Sequence, residues 1–238
     1  MTYDGLDERG LAALLGLPVV LQRSVSSVLD VAHDLGTAGA PSGTLVLADE
    51  QTAGRGRQGR EWYSPPGAGI WMAVLLRPAA PPEGGALAVR AGLAVLAGLA
   101  AAAPELAPRL KWPNDLMVGD RKAGGILCEA RWSAERLGWV AAGIGLNVRG
   151  PVPRELADRA VALGDVAPGL SRLAVLAAVA PRVADLAGRP PALDDAERAE
   201  FWAARWPDAD PDAVGIDAGG ALLVRTAAGS LDRRIAPS

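Results

Sequence analysis

Residues 44–76 read TLVLADEQTAGRGRQGREWYSPPGAGIWMAVLL, and this stretch decides the fold. Residues 44–48 and 70–76 are β-branched and apolar runs, and each predicts a buried strand. Between them, Arg55, Arg57 and Arg60 alternate with Gly54, Gly56 and Gly59. Glycine lets backbone N–H groups approach a ligand closely, and arginine offers a planar fork of donors, so the loop predicts a phosphate or carboxylate site. The same letters satisfy G-x-G-x-x-G, which marks a dinucleotide turn when a helix follows at once. Here Pro65-Pro66-Gly67 follows and cannot open a helix, and the arginines would crowd a turn that needs bare backbone. A strand–loop–strand unit replaces the doubly wound reading. The plain alternative is a solvated basic loop, because closely spaced like charges tend to solvate.

Working outward, residues 18–23 predict a short strand. Residues 24–39 carry Val25, Val28, Leu29, Ala32 and Leu35 at helical spacing, with Ser26-Ser27 as the N-cap. Residues 84–103 predict a helix that is apolar nearly all round, as expected of one lying against a sheet. Strands at 116–118 and 126–128 flank Gly119-Asp120, which suits a type II′ turn, and 139–148 is a further strand. Consecutive strands after a βα start predict an α+β fold with a mixed, mainly antiparallel sheet and helices packed on it. Beyond residue 151, helices are expected at 170–186 and 194–206, a linker at 207–211, and a strand at 221–226 in a small terminal β element. This divides the chain into 1–206 and 212–238.

The chain has 238 residues, half of them hydrophobic, so it can bury one good core. A net charge of −3 exerts no general pull on nucleic acid, and the basic loop is local. Cys128 is the single cysteine, so no internal disulfide is expected and a reducing compartment fits. His33, the single histidine, leaves no His/Cys zinc cluster, so a metal would need oxygen ligands. His33 is read as structural or surface, and Cys128 as a small hydrophobe on a strand. No leader pattern opens the chain, and the longest apolar run, 91–103, stops short of the ~20 residues of a membrane span, so a cytoplasmic protein without membrane contact is expected.

Lys111-Trp112-Pro113-Asn114-Asp115 gathers an ammonium, an amide and a carboxylate around a proline that prevents a helix. Asp115 is the candidate ligand for a hard cation such as Mg²⁺ shared with substrate phosphates, with Lys111 and Asn114 binding oxygens nearby; an Asx turn with a solvated lysine is the plain alternative. In Lys122-Ala123-Gly124-Gly125-Ile126-Leu127 and in Gly143-Ile144-Gly145-Leu146-Asn147-Val148, glycines lie within strands, where a ligand or another backbone passes close by or the sheet simply packs tightly.

Together, in this order from about Val20 to Val148, these motifs resemble the bacterial biotin protein ligase family, the biotin–[acetyl-CoA-carboxylase] ligases. The resemblance implies that biotin's carboxylate joins the α-phosphate of ATP with release of pyrophosphate, and that biotin then passes to a lysine of a biotin carboxyl carrier domain with release of AMP. It implies a catalytic domain followed by an SH3-like β domain, here short. It implies that Ser26, Ser27, Gln51 and the Gly124-Gly125 backbone line the biotin ring pocket. Arg55, Arg57 and Lys122 match positions around the biotin carboxylate and the adenylate phosphate. Trp62 matches an aromatic that packs on adenine, Asn147 an amide near the base, and Asn114 with Asp115 the Mg·ATP site. Lys111 belongs to the same catalytic group, and Asp115 is a candidate base for the attacking lysine. Val28 departs from the family's polar residue after the two hydroxyls. No helix-turn-helix precedes the first strand, so transcriptional repression is not expected, and a homodimer formed through a sheet edge is a family possibility. A lipoate–protein ligase and a non-catalytic biotin or nucleotide sensor are the alternatives.

Overall fold

The computed structural model describes residues 1–150, 152–207 and 210–236. Seven strands, β1 (Val19–Val25), β2 (Leu45–Gln51), β3 (Gly69–Leu76), β4 (Arg109–Lys111), β5 (Asp115–Val118), β6 (Arg121–Ser133) and β7 (Arg136–Asn147), form one sheet in the order β1-β2-β3-β7-β6-β5-β4. β1 and β2 are parallel because α2 (Val28–Thr37) crosses between them, and every other pair is antiparallel. The mixed, mainly antiparallel α+β layer is therefore the one expected.

Helices cover both faces. α2 lays Val28, Leu29 and Ala32 on Val46, Ala48, Trp71, Ala73 and Ala141. On the opposite face Leu45, Leu47, Ile70, Met72, Val74 and Leu76 join α1 (Glu8–Leu15), α3 (Ala86–Ala102) and α5 (Arg172–Ala184) in the larger core. Every residue of β3 is buried, which explains its unbroken apolar run: a central strand covered on both sides needs no polar alternation. α1 was not anticipated, yet its signals are present, since the Asp7 side chain caps Gly10 N–H and Gly16 ends the helix at φ 67°. β4 was also not anticipated. β6 extends well beyond the expected strand, β7 starts three residues before the expected one and ends one short of it, and Val118 opposes Arg121 across a two-residue turn whose first residue, Gly119, has φ 56°. Helices α4 (Leu163–Val166) and α6 (Asp195–Ala204) complete the set, the latter opened by a reciprocal cap between Asp194 and Glu197.

Three short strands, β8 (Ala213–Ile216), β9 (Leu222–Arg225) and β10 (Leu231–Arg234), form a separate antiparallel sheet. Its Ile216, Leu222 and Val224 continue the main core. Gly85 N–H donates to Gly219 O at 2.7 Å, and Trp112 Nε1 donates to Gly220 O at 3.0 Å, so this sheet rests on the start of α3 and on the β4–β5 turn. The expected linker at 207–211 includes residues 208 and 209, and the tail to 238 includes 237 and 238; these lie outside the described residues.

Two buried arginines tie distant segments. Arg172 of α5 bonds Asp4, meets Asp49 Oδ1 at 2.9 Å and Gly69 O at 3.3 Å, and stacks over the Tyr3 ring at 4.1 Å. Arg90 of α3 takes both Glu197 oxygens, at 2.7 and 2.8 Å, and two backbone carbonyls. Hydrogen bonds from Arg172 and Arg90 hold the Asp4 and Glu197 carboxyls below the usual range. The unfolded chain then takes up these protons at higher pH than the folded chain does, so both pairs stabilise the fold at neutral pH and lose that contribution on acidification. The melting temperature should be level near neutrality and fall below about pH 4.5, less steeply in Asp4→Asn. A flat profile down to about pH 3 in differential scanning calorimetry would remove this role from both pairs.

Candidate active site

β-Sheet register builds the floor of the site. Trp71, Gly145, Gly125 and Asp115 stand opposite one another on four neighbouring strands and share the α2 face. The two glycines leave a gap in that row, and Trp62 fills it. A Cβ at Gly145 would lie 2.5 Å from Trp62 Nε1, and one at Gly125 would lie 3.3 Å from the same ring. Glycine is required here because an indole crosses the sheet at contact distance. Gly124 points the other way: its Cβ would meet Leu146 and Leu116 in the core. The two adjacent glycines therefore do different jobs, and only Gly125 faces the site.

Above this floor is a cavity of about 590 Å³, within the size range of small-molecule sites. Of the expected site residues, Ser27, Gln51, Arg55, Arg57, Trp62, Lys111, Asn114, Asp115, Lys122, Gly125 and Asn147 line it. Ser26 does not, and its hydroxyl instead donates to Asp30 Oδ2 at 2.9 Å. Ser27 and Gln51 meet at the start of α2: Ser27 Oγ accepts from Leu29 N–H, and Gln51 Oε1 accepts from Val28 N–H at 2.9 Å. Two helix N–H groups that lack intrahelical partners are thereby satisfied at the cavity wall.

The arginine–glycine loop folds back on itself as a narrow hairpin, with Trp62 N–H to Gly54 O at 2.8 Å and Gly56 N–H to Arg60 O at 2.7 Å. A Cβ on Gly54 would come 2.5 Å from Trp62 O, so the two arms close only around a glycine. The turn contains Gln58 at φ 58° and Gly59 at φ 69°. Lys111-Trp112-Pro113-Asn114-Asp115 is a hairpin turn, with Lys111 ending β4 and Asp115 opening β5. The Asn114 side-chain amide donates to Ile126 O at 2.9 Å and its backbone carbonyl accepts Ile126 N–H at 3.0 Å, which locks the turn to β6.

Charge in the cavity is unevenly shared. Lys122 Nζ lies 2.6 Å from Asp115 Oδ1 and 5.0 Å from the centre of the Trp62 ring. Lys111 stacks on Trp206 at 4.9 Å. Arg55 is paired twice, with Asp30 at 2.6 Å and Glu129 at 3.5 Å. Burial tends to raise the Asp30 pKa, but hydrogen bonds from Arg55 and Ser26 more than offset it and the net shift is downward. Arg57 has no carboxylate within ion-pair distance among the described residues; burial pulls its pKa down against attraction from Asp115. Trp62 Nε1 is buried and has no hydrogen-bond partner. A buried donor without a partner is costly, and this one lies against the Gly145 backbone, where a Cβ would come within 2.5 Å of it. Among the described residues no three Asp, Glu, His or Cys side chains converge as a metal site, and Asp115 is a lone carboxylate already paired with a lysine.

A family model described as the Biotin/lipoate A/B protein ligase family matches residues 22–147, from β1 to the end of β7. The chain belongs to that family. The matched span contains every cavity residue named above. Among curated relatives, the bifunctional ligase/repressor BirA of Bacillus subtilis (strain 168) is 40% identical over 161 residues, covering 65% of this chain and 48% of BirA. The biotin–[acetyl-CoA-carboxylase] ligase of Mycobacterium tuberculosis is 36% identical over 184 residues, covering 71% of this chain and 66% of that protein. The chain thus spans about half the length of the Bacillus relatives it matches. The biotin protein ligase of Aquifex aeolicus, solved with biotin and ATP, superposes with a TM-score of 0.75 at 25% identity, covering 92% of this chain and 95% of that one.

Sequence reading of this family member missed Asp30, Glu129 and the partners of His33. His33 is buried, with Nε2 3.0 Å from Glu129 Oε2 and Nδ1 accepting from Trp139 Nε1 at 3.0 Å. The spacing of Asp30 and His33, three residues apart on one helix, was the available signal that both face the same neighbour. Cys128 is half-buried, and burial of its thiol pushes the pKa up to about 12, as suits an unreactive cysteine.

Proposed function

We propose that this chain is a biotin–protein ligase that activates biotin with ATP and transfers it to a lysine of a biotin carboxyl carrier domain. The observation that carries the reading is the pairing of a glycine-floored, tryptophan-covered cavity with three lining cations, Arg57, Lys122 and Lys111, grouped about Asp115. A carboxylate approaching a polyphosphate meets anion repulsion, and fixed cations at the meeting point lower that barrier. Arg57 and Lys122 serve there. The carboxylate oxygen bonds to the α-phosphorus, and pyrophosphate leaves with the electron pair of the broken P–O bond. Ser27, Gln51 and Gly125 of the cavity lining are assigned to the biotin rings, and Trp62, Asn114 and Asn147 to the nucleotide. Mg²⁺ fits as an ion carried by the nucleotide phosphates, with Asp115 as its protein carboxylate, where it would neutralise phosphate charge.

In the second step the carrier lysine, as free amine, attacks the acyl carbon, AMP departs and the amine loses its proton. Asp115 is the carboxylate at hand to take it. A wider cleft of about 920 Å³ on the far side of the loop shares Arg55, Arg57, Trp112 and Asn114 with the first cavity and gives the carrier its approach. No described helix is long and apolar enough to cross a membrane. A cytoplasmic site of action, without nucleic acid, completes the reading, as does a division into a catalytic part, 1–206, and a β unit, 212–238. The possible homodimer is left to sizing of the purified chain.

The test incubates the chain with ATP, Mg²⁺ and either biotin or lipoate, with and without a carrier domain. Pyrophosphate release with biotin and one biotin gained by the carrier is expected. Lipoate gained instead, or neither acid activated by folded protein, would reject the proposal.

A further inference from the structure

Arg55 and Arg57 are two residues apart in the loop, yet their surroundings differ sharply. Both terminal nitrogens of Arg55 are taken, Nη1 by Asp30 Oδ1 and Nη2 by Glu129 Oε2. Two carboxylates around one guanidinium largely cancel its pull on a third anion, whereas Arg57 lines the cavity with no carboxylate in ion-pair contact among the described residues, feeling Asp115 only at longer range. Glu129 is itself fixed from behind. Trp139 Nε1 can only donate, so His33 Nδ1 accepts, the ring hydrogen sits on Nε2, and Nε2 donates to the Glu129 oxygen that receives Arg55. Trp139 is wedged in turn: a Cβ on Gly36 would lie 2.5 Å from its ring, and Arg77 stacks on it at 5.5 Å. Arg131, at 3.8 Å, completes the charged neighbours of Glu129. A chain of contacts thus runs from α2 and β7 through β6 to one side chain at the root of the loop.

We propose that Glu129, fixed by His33, is a positioning residue that together with Asp30 pins Arg55 as a strut, setting the loop over the cavity and leaving Arg57 and Lys122 as the cations that meet the acyl-phosphate. This deepens the ligase reading and rests on it for its catalytic consequence. The strut holds the loop to two elements at once, α2 through Asp30 and β6 through Glu129, so its loss loosens the lid over a water-sensitive intermediate. Glu129 acts only through Arg55.

A double-mutant cycle tests this with two readouts. In the free protein, amide exchange across residues 52–62 should speed up by about tenfold in Arg55→Gln and in Glu129→Gln, and by no more in the double variant, because partners in one network do not add. With biotin and ATP, release of the adenylate should accelerate by about the same factor in both single variants and in the double, with kcat for its formation nearly unchanged in Glu129→Gln, while Arg57→Gln adds its own loss to either. Asp30→Asn, at the partly exposed arm of the strut, repeats the exchange test without disturbing the sheet. Additive effects in the cycle, or wild-type exchange in Glu129→Gln and Asp30→Asn, would overturn the proposal. If the wild-type chain activates no biotin, the ligase reading fails by itself, and the exchange cycle still decides whether the strut exists.

Discussion

Lys122→Met should lower the rate of adenylate formation by about 10²–10³-fold, the usual loss when one fixed group facing developing charge is removed. Lys122 is held in place by its surroundings: its ammonium is paired with Asp115 at 2.6 Å and sits against the Trp62 ring. Its backbone is equally fixed, with N–H to Arg159 O at 2.8 Å and its carbonyl receiving Val161 N–H at 3.0 Å. Little reorganisation is therefore needed when phosphate arrives. The variant also leaves Asp115 as an uncompensated negative charge facing the incoming polyphosphate, so Lys122→Met with Asp115→Asn should be less impaired than the two losses multiplied. Single-turnover pyrophosphate release measures both effects. A Lys122→Met rate within about threefold of wild type would show that the stabilising charge comes from elsewhere in the cavity.

Arg172→Ala should cost about 3–5 kcal/mol of folding stability, as for other buried ion pairs that lose one partner. The guanidinium is nearly inaccessible, with 4% exposure, and serves Asp4, Asp49, Gly69 O and the Tyr3 ring together. Removing it takes the buried partner from both carboxylates, leaving Asp4 with Arg149 at 3.2 Å and Asp49 with Gly67 N–H at 3.2 Å, while Gly69 O keeps the Tyr3 hydroxyl at 3.0 Å. In a chain of this length the loss corresponds to a fall of about 6–20 °C in melting temperature, read by calorimetry and by urea unfolding. Adding Asp4→Asn should recover part of it by discharging the carboxylate that has lost its main partner. A loss below about 1 kcal/mol would mean that water reaches the cluster and solvates the carboxylates.

The clasp has no counterpart in any local pattern, because Arg172 and Asp4 are 168 residues apart. By contrast, the strands on either side of the loop, α2, α3, α5, α6 and the β5–β6 turn could all be read from short-range signals. Apolar runs, helical spacing, Ser27 as cap and Gly119 in the turn act within a few residues, and the packing agreed with them. α1 was missed although Asp7 and Gly16 announce it and Leu11 and Leu15, four residues apart, face the core, because its eight residues make only about two turns. β4 spans only three residues and exists because β5 offers it a partner.

The sequence alone determined the strand–loop–strand unit, the exclusion of the dinucleotide turn, and the residue types of an anion site, because these depend on backbone preferences and side-chain chemistry at each position. Register and burial decided the rest. Gly124 and Gly125 are equivalent as letters, but the alternation of a pleated strand sends one into the core and the other under Trp62. Arg55 and Arg57 are likewise equivalent in sequence, but only the folded sheet brings Glu129, 74 residues on, to the first and leaves the second free to meet an anion. A side chain's charge belongs to its chemistry; whether that charge is spent on the protein or kept for a ligand depends on what the fold places beside it.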